Sequence, residues 1–510
     1  MTRHRSVDAG LACALALGVL VVQSLGTITG RPFWVDEAWV ADLARAPLSR
    51  QVALSSSTPV GWVLLLRLVP LHGAQDLRVL PLIFEGAAAA LAFTFVRGLS
   101  WGSPNSGRAA GTIAGAAVLL APMSLVQNDL KQYSCDAALS LLVLVLARRA
   151  EQRPGLRSLL WLSLTSVLVT PFSTVAVLVI AASFAGLLVV AVGERRWSDA
   201  RRVLTVGGAT GALVVSYLAA VVLPHENPTL RAYWRTFYLD GSPLHVVTSA
   251  VRRFRGLGPA FGMSPWLMLL LFVAGLVVLG ARGHRAIAAA AVILAAELLV
   301  LGAAHRYPFL DVRTSYFFLA VAVTVAAIGG SGAMVAVCRH RPLPLAAIVA
   351  VAVAVLAVGG RHEMRQFTYP NEDVRTPTRY IAAHRRPGDV VVVGIGANWA
   401  FTYYWQGPGT KVYLSDDSVA AGFVTRVDGV DAIFVRARDR ITVLATMRTA
   451  VGLVASRGGS GRLWIVRTHM SSAERTAWTA ALRTLHLRVR PVTGPPEPLV
   501  VVTRAATTPG

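Results

Sequence analysis

The feature that most constrains this chain is its succession of apolar runs, beginning with "LACALALGVLVVQSLGTIT" just inside the N-terminus. A bilayer's hydrocarbon core takes about 20 residues of helix. Lipid offers the backbone no hydrogen bonds, so each such run must satisfy its own peptide groups as a helix. Segments of this kind cover residues 11–29, 79–97, 109–127, 135–148, 157–170, 171–193, 203–223, 264–281, 285–303, 315–337 and 342–360. The pattern predicts an α-helical polytopic membrane protein with about eleven transmembrane helices. Composition agrees: of 510 residues 55% are hydrophobic and 15% charged, whereas soluble domains carry about 25% charge.

A net charge of +23 would point to nucleic acid in a soluble chain. Here the arginines alternate with the apolar runs, in "MTRHR", "RGLSWGSPNSGR", "ARRAEQRPGLR", "GERRWSDARR", "ARGHR" and "CRHRP". These connections fall on one side, which the positive-inside rule makes cytoplasmic, together with the N-terminus. The segment Thr58 to Leu71 is short and contains Arg67. As a further span it would turn every later arginine-rich loop outward, so it is expected to lie in the outer interface. No A-x-A cleavage site follows the first run, which reads as an uncleaved helix. Lysine occurs only at Lys131 and Lys411, an arginine-heavy usage that points to a GC-rich bacterial genome and hence to a bacterial plasma membrane. Cys13, Cys135 and Cys338 have neither metal-ligand nor disulfide spacing.

From about Arg361 the runs shorten to "DVVVVGI", "DAIFVRA", "GRLWIVRTH" and "PLVVVTRA", bounded by Gly, Pro and Asp, while "SSAERTAWTAALRTL" has helical spacing. The chain therefore divides into a membrane domain, 1–360, and an extracytoplasmic α/β domain, 361–510. "VVVGIGANW" lacks the third glycine and the acidic partner of a dinucleotide fingerprint. A turn after a buried strand, packed by Trp399 and Trp405, accounts for it.

Three polar clusters fall on the outer side. "RPFWVDEAWVADL" sets Asp36 and Glu37 between two tryptophans where the chain leaves the first run. On a helix neighbours point about 100° apart, so one carboxylate faces a cavity and the other orients it or meets the interface. In "QNDLKQYSCDAAL", Asp129, Tyr133 and Asp136 recur at helical spacing beside Lys131. Ionisable groups at such depth usually mark a site, although Asp129 equally suits a helix cap. In "AAHRYPFLDVRTSYFF", His305, Arg306, Tyr307, Asp311 and Arg313 meet the same face. Guanidinium groups there either hold phosphate oxygens or snorkel to lipid headgroups. Arg313 and Lys131 are the first choices for phosphate contact, followed by Arg306.

The order "W-x-DEA", "TPxxxxLLLRL", "LRVLPLIFEGAAAALAFTFVRGL" and "LKQYSCDAALSLLVL" resembles the GT-C superfamily of polyprenyl-phosphate-sugar-dependent glycosyltransferases, in particular the bacterial branch related to protein O-mannosyltransferases and the aminoarabinose transferase of lipid A. The likeness covers residues 11–330, with specific motifs in the first 150. Where many relatives have "HPPL", this chain has "STPVGW", keeping Thr58 but no histidine; where many have "RLPS", it has "RVLPL". The resemblance implies a GT-C-like fold and Asp36 as general base on an acceptor hydroxyl. It also implies substrate contacts from Lys131, Tyr133 and Asp136, and use of a divalent ion (Mg or Mn) in some relatives but not in others.

The expected activity is transfer of one sugar, a hexosyl or pentosyl group such as mannose or arabinose, from a polyprenyl-phosphate donor to a cell-envelope polysaccharide, glycolipid or protein. Rival readings are a polymerase or ligase using a diphosphate-linked oligosaccharide, a transporter or lipid flippase, and an envelope scaffold. Transporters often carry internal repeats with sites at the midplane. No repeat is visible here and the polar clusters lie toward the outer face. Asp129, Asp136, His305, Tyr307 and Thr58 complete the expected substrate-binding set.

Overall fold

A computed structural model describes residues 2–23, 28, 30–55, 58–70, 76–126, 130–226, 233–340, 345–364, 372–405, 411–414, 423–427, 429–458, 461–493 and 499–504. Helix α1 (Thr2–Val22) is followed outside the bundle by α2 (Val35–Arg45) and α3 (Val60–Leu68). Then come α4 (Val79–Arg97), α5 (Pro104–Leu120), α6 (Tyr133–Gln152), α7 (Leu156–Val169), α8 (Ala176–Gly193) and α9 (Trp197–Tyr217). After a long connection follow α10 (Pro265–Ala281), α11 (Arg285–Ala303), α12 (Tyr316–His340) and α13 (Leu345–Met364).

One helix thus meets each of the apolar segments. Among the described residues six stretches, those of α4, α8, α9, α11, α12 and α13, are long and apolar enough to cross a membrane by themselves, while α1, α7 and α10 are apolar but shorter. Helix ends depart from the apolar boundaries where local chemistry dictates. The α5 helix starts early because Ser103 caps it, its Oγ accepting from the Ser106 amide at 3.1 Å, with Pro104 at the first helical position.

Burial sorts the bundle. The spanning window of α12 is 78% buried and that of α13 only 6%, so α12 is the central post and α13 shows Val351, Val355 and Val358 outward. The backbones of α10 and α12 approach so closely that a Cβ on Gly275 or Gly329 would collide with the facing main chain. Small residues allow such contact where lipid supplies no hydrophobic drive between helices.

The nine-residue α3 is too short to span, as its sequence led us to expect. It is packed by its backbone and by Trp62. The Gly61 amide donates to Pro171 O at 2.8 Å, and Trp62 Nε1 donates to Leu130 O at 2.8 Å. Its Arg67 Nη1 reaches Ala46 O at 2.5 Å and Ala44 O at 3.3 Å, satisfying carbonyls left bare at the end of α2.

Beyond α13, α14 (Arg375–His384) leads to β1 (Val390–Val393) and α15 (Asn398–Tyr404). A separate antiparallel hairpin pairs β2 (Lys411–Leu414) with β3 (Phe423–Arg426). The main sheet adds β4 (Asp431–Phe434), β5 (Leu463–Val466), β6 (Leu487–Pro491) and β7 (Leu499–Arg504), in the order β4-β1-β5-β7-β6. Strand β1 runs parallel to both β4 and β5, with Val390 opposite Asp431 and Leu463, whereas β7 is antiparallel to β5 and β6.

Side chains alternate across the sheet and split its contacts. Val390, Val392 and Ile465 pack under α16 (Arg440–Ser456) and α17 (Ser472–Thr484) with Met447 and Trp478. Val391, Val393, Trp464 and Val466 face the other way, into a core shared with Phe401 of α15 and with Ala38, Trp39 and Leu43 of α2. The "VVVGIGANW" stretch is therefore a buried strand, a turn and a packing helix, with Trp399 and Trp405 buried as expected. One face of the C-terminal sheet is bolted to the helix that carries Asp36.

Candidate active site

The N-terminus of α2 leaves amides that the helix cannot satisfy. Side chains take them: the Trp34 amide donates to the helix's own Glu37 Oε2 at 3.3 Å, the Val35 amide to Glu372 Oε2 at 3.1 Å, and the Phe33 amide just before the helix to Tyr404 Oη at 2.7 Å. Two of the three acceptors come from the C-terminal domain. The helix is thus held in place from both sides.

Asp36 and Glu37 separate as adjacent helical residues must. The Glu37 side chain has no exposed surface. It is clasped bidentately by Arg78, with Nε to Oε1 at 2.7 Å and Nη2 to Oε2 at 2.6 Å, and lies 3.6 Å from Arg31 Nη2. Arg78, itself fully buried, also donates from Nη1 to Ile28 O at 2.5 Å and Arg31 O at 2.6 Å, and from Nη2 to Pro32 O at 3.0 Å. Glu37 therefore anchors the loop before α2 and does not open onto the cleft. Glu37, expected together with Asp36 as a catalytic residue, has both carboxylate oxygens engaged by Arg78.

Asp36 points the other way. Its Oδ2 accepts from Arg313 Nη2 at 2.6 Å, and about a third of the side chain remains exposed. The Arg313 guanidinium lies 4.8 Å from the Trp34 ring centre and 5.6 Å from that of Tyr133. Lys131 sits with Nζ 3.4 Å above the ring of Trp39, one turn along α2 from Asp36. Burial alone would raise the Asp36 carboxyl, but the charges of Arg313 and Lys131 outweigh it and hold the group below its ordinary value. Asp36, Lys131, Tyr133 and Arg313 are thus brought together.

The remaining expected residues scatter. Tyr307 braces the turn carrying Arg313, its Oη donating to Thr314 O at 2.5 Å, while Asp311 Oδ2 accepts from the Thr314 amide at 3.0 Å. Asp136 and Thr58 are buried, and Asp136 Oδ1 and Thr58 Oγ1 have no hydrogen-bond partner among the described residues. Asp129 lies outside the described residues. His305 and Arg306 do not join Asp36. His305 Nε2 pairs with Asp240 Oδ1 at 2.5 Å and stacks on Tyr238, and Arg306 is exposed. Left-handed backbone at His305 (φ 55°) and Leu310 (φ 52°) turns this stretch between them and Arg313.

A further pair at the site had no signal in the sequence pattern. His469 Nδ1 is 2.5 Å from Glu372 Oε1, and its ring lies 6.3 Å from that of Trp34. The hydrogen bond to Glu372 raises the His469 pKa above the ordinary histidine value despite partial burial, and His469 in turn adds to the positive potential at Asp36. The groups around Asp36 are thus cationic. Among the described residues no cluster of three or more His, Cys, Asp or Glu side chains could hold a metal. Among the described residues the groups beside Asp36 are thus cations and not further metal donors.

No protein-family model matches the chain, and no curated protein matches it in sequence. Among solved structures it is similar to the oligosaccharyltransferase of Archaeoglobus fulgidus in complex with Zn and sulfate, with a TM-score of 0.53 and 12% identity over 89% of this chain and 68% of that one. It is also similar to archaeal oligosaccharyltransferase AglB from Archaeoglobus fulgidus, bound to an inhibitory peptide and a dolichol-phosphate. There the TM-score is 0.54 and the identity 12%, over 99% of this chain and 75% of that one. At this identity the likeness speaks for the fold. The chain is a multi-pass membrane protein with the GT-C fold, as its motifs implied.

Proposed function

We propose that this protein is an integral membrane glycosyltransferase that moves a single sugar from a polyprenyl-phosphate donor to an extracytoplasmic acceptor, with inversion and with Asp36 as general base. The observation that carries this reading is the convergence of the Asp36 carboxylate with Arg313 and Lys131 at the junction of membrane bundle and outer domain.

In the proposed reaction the acceptor hydroxyl oxygen bonds to the anomeric carbon as the bond from that carbon to the phosphate oxygen breaks. Asp36 takes the hydroxyl proton, a role that contributes roughly 10²- to 10⁴-fold. The lipid phosphate leaves with both electrons of the broken bond, and Arg313 and Lys131 stabilise its growing charge. A carboxylate held by Arg313 is a weak base. Transfer of the guanidinium from Asp36 toward an arriving phosphate restores its basicity, so donor binding itself arms the base. Glu37, through Arg78, fixes the helix from which Asp36 projects. No step is routed through a metal ion.

An apolar cavity of about 760 Å³ between α5, α10, α12 and α13, lined by Ile113, Phe261, Met268 and Val355, offers room for part of a prenyl chain. The dolichol-phosphate bound by the archaeal neighbour supports a donor of this class. The neighbours are oligosaccharyltransferases, which favours as second reading an oligosaccharide donor on a polyprenyl diphosphate. Purified full-length protein incubated with a panel of polyprenyl-phosphate monosaccharides and polyprenyl-diphosphate oligosaccharides, with membrane acceptors and with or without chelator, separates the two. Consumption of a monosaccharide donor unaffected by chelator is expected. Exclusive use of a diphosphate donor establishes the second reading, and use of neither refutes both.

A further inference from the structure

At the end of the bundle away from Asp36, the chain folds α6 back into α7 through Pro154 and Gly155. Arg149 lies 16 residues beyond Tyr133 along α6, about 24 Å at the helical rise, so the two ends belong to opposite membrane faces. A concavity of about 1210 Å³ opens here, lined by Arg148, Arg149, Arg153 and Arg157, with Trp161 beside them.

Two observations set this cluster apart from arginines that merely fix topology. The first is pairing. Arg196, Arg202 and Arg285 nearby are neutralised by Glu194 or Asp199, and Arg97 and Arg108 by Asp8. Arg149, Arg153 and Arg157 are exposed and form no ion pair with any described residue. The second is Arg148, whose residue surface is only 5% exposed. Its Nη1 donates to Phe95 O at 2.5 Å, yet its Nε has no partner among the described residues. It approaches Gly98 so closely that any side chain there would collide with the guanidinium. Arg148 lines the concavity and forms no ion pair with any described residue, so its charge adds to a basic wall that favours an anion.

The surroundings name the kind of anion. Leu156, Leu160, Leu164 and Leu168 recur every fourth residue on α7, each about half exposed, with Trp161 equally open. This makes an apolar stripe that starts at the cavity and runs into the bilayer. Tryptophan beside it marks the headgroup level. A soluble phosphate would use the guanidinium groups and leave the stripe idle, whereas a lipid uses both.

We propose that the concavity between α6 and α7 seats the headgroup of an anionic phospholipid from the leaflet opposite the Asp36 site. Its phosphodiester oxygens meet Arg149, Arg153 and Arg157 and its acyl chains lie along the leucine stripe of α7. Basic pockets between transmembrane helices are suited to headgroups with two phosphates, so cardiolipin is the probe. The inference stands apart from the glycosyl-transfer reading and needs no activity to test.

Full-length protein is placed in phosphatidylcholine nanodiscs containing cardiolipin at about one part in ten. Retained lipid is counted by native mass spectrometry for the wild type, for R149Q/R153Q/R157Q and for the equal-charge control R196Q/R202Q/R285Q. The expected result is loss of bound cardiolipin by roughly tenfold or more in the first triple variant and near wild-type retention in the control. Equal retention in the two, or equal loss, overturns the proposal, since net charge alone would then govern binding. Displacement of the lipid from wild type by millimolar inorganic pyrophosphate assigns the site to free phosphate and also overturns it. R153Q and R157Q alone, on the exposed surface, are read in the same way if the triple variant unfolds.

Discussion

Arg313 Nη2 lies 2.6 Å from Asp36 Oδ2, joining a residue just after the first span to one 277 positions later at the start of α12. The contact fixes the ionisation of the acid and, in the proposed reaction, supplies the cation that the departing phosphate needs. Removal of Arg313 acts on both. Arg313→Gln is expected to lower turnover by roughly 10²- to 10³-fold. It should also shift the acid limb of the pH–rate profile upward, because Asp36 loses the charge that holds its pKa down. A purely structural Arg313 would reduce the amount of folded protein and leave the acid limb in place.

Glu37 and Arg78 form a fully buried pair. Taking one partner away leaves an uncompensated charge in the interior, so Glu37→Gln is expected to destabilise the protein by about 3–5 kcal/mol. E37M/R78M, which removes both charges, should cost less. Thermal unfolding of the two variants in the same detergent decides this, and an unchanged midpoint in Glu37→Gln contradicts the anchoring role.

His469 gains the Glu372 carboxylate on folding, and its folded pKa lies above the unfolded value of about 6.5. Its contribution to stability is thus fully present below about pH 6.5 and is lost as pH rises through the folded pKa. The midpoint difference between wild type and His469→Asn should shrink across that window. Glu372→Gln should return the imidazole toward 6.5, seen by NMR titration of the ring protons. A difference constant across the window would contradict the pairing.

Asp42, on α2, is buried and its two carboxylate oxygens have no hydrogen-bond partner among the described residues. Burial raises its pKa well above the ordinary value, with Arg45 opposing only in part. The folded state then keeps a proton that the unfolded chain gives up above about pH 4, so this group lowers stability as pH rises. Asp42→Asn should raise the unfolding midpoint more at pH 8 than at pH 5. An equal or opposite change at the two values contradicts the buried neutral acid.

The membrane helices were legible because hydropathy is a local property: each apolar segment became a helix, and the short, Arg67-bearing stretch became the non-spanning α3. Asp36, Lys131 and Arg313 were legible as charges beside the ends of apolar runs, where ionisable groups are costly. Glu372 and His469 were not, because they reach α2 only after the C-terminal sheet docks on it, and no sequence periodicity encodes that contact. Arg78 likewise stood at the edge of an apolar run but inside "RVLPL", a stretch noted only for departing from the family pattern. His305 and Arg306 stood close to Arg313 in the chain, but the local backbone separates their contacts from its own. The turn before Arg313 sets the His305 ring against Tyr238 and Asp240, and Arg306 is exposed.

The central claim is that Asp36 takes the acceptor's proton. The direct measurement is sugar transfer by Asp36→Asn protein, with the donor that the wild type consumes, alongside donor binding measured on the same preparation. Folded Asp36→Asn protein that still binds donor but turns over roughly 10²- to 10⁴-fold more slowly is the predicted result. Transfer at the wild-type rate by that variant would contradict it.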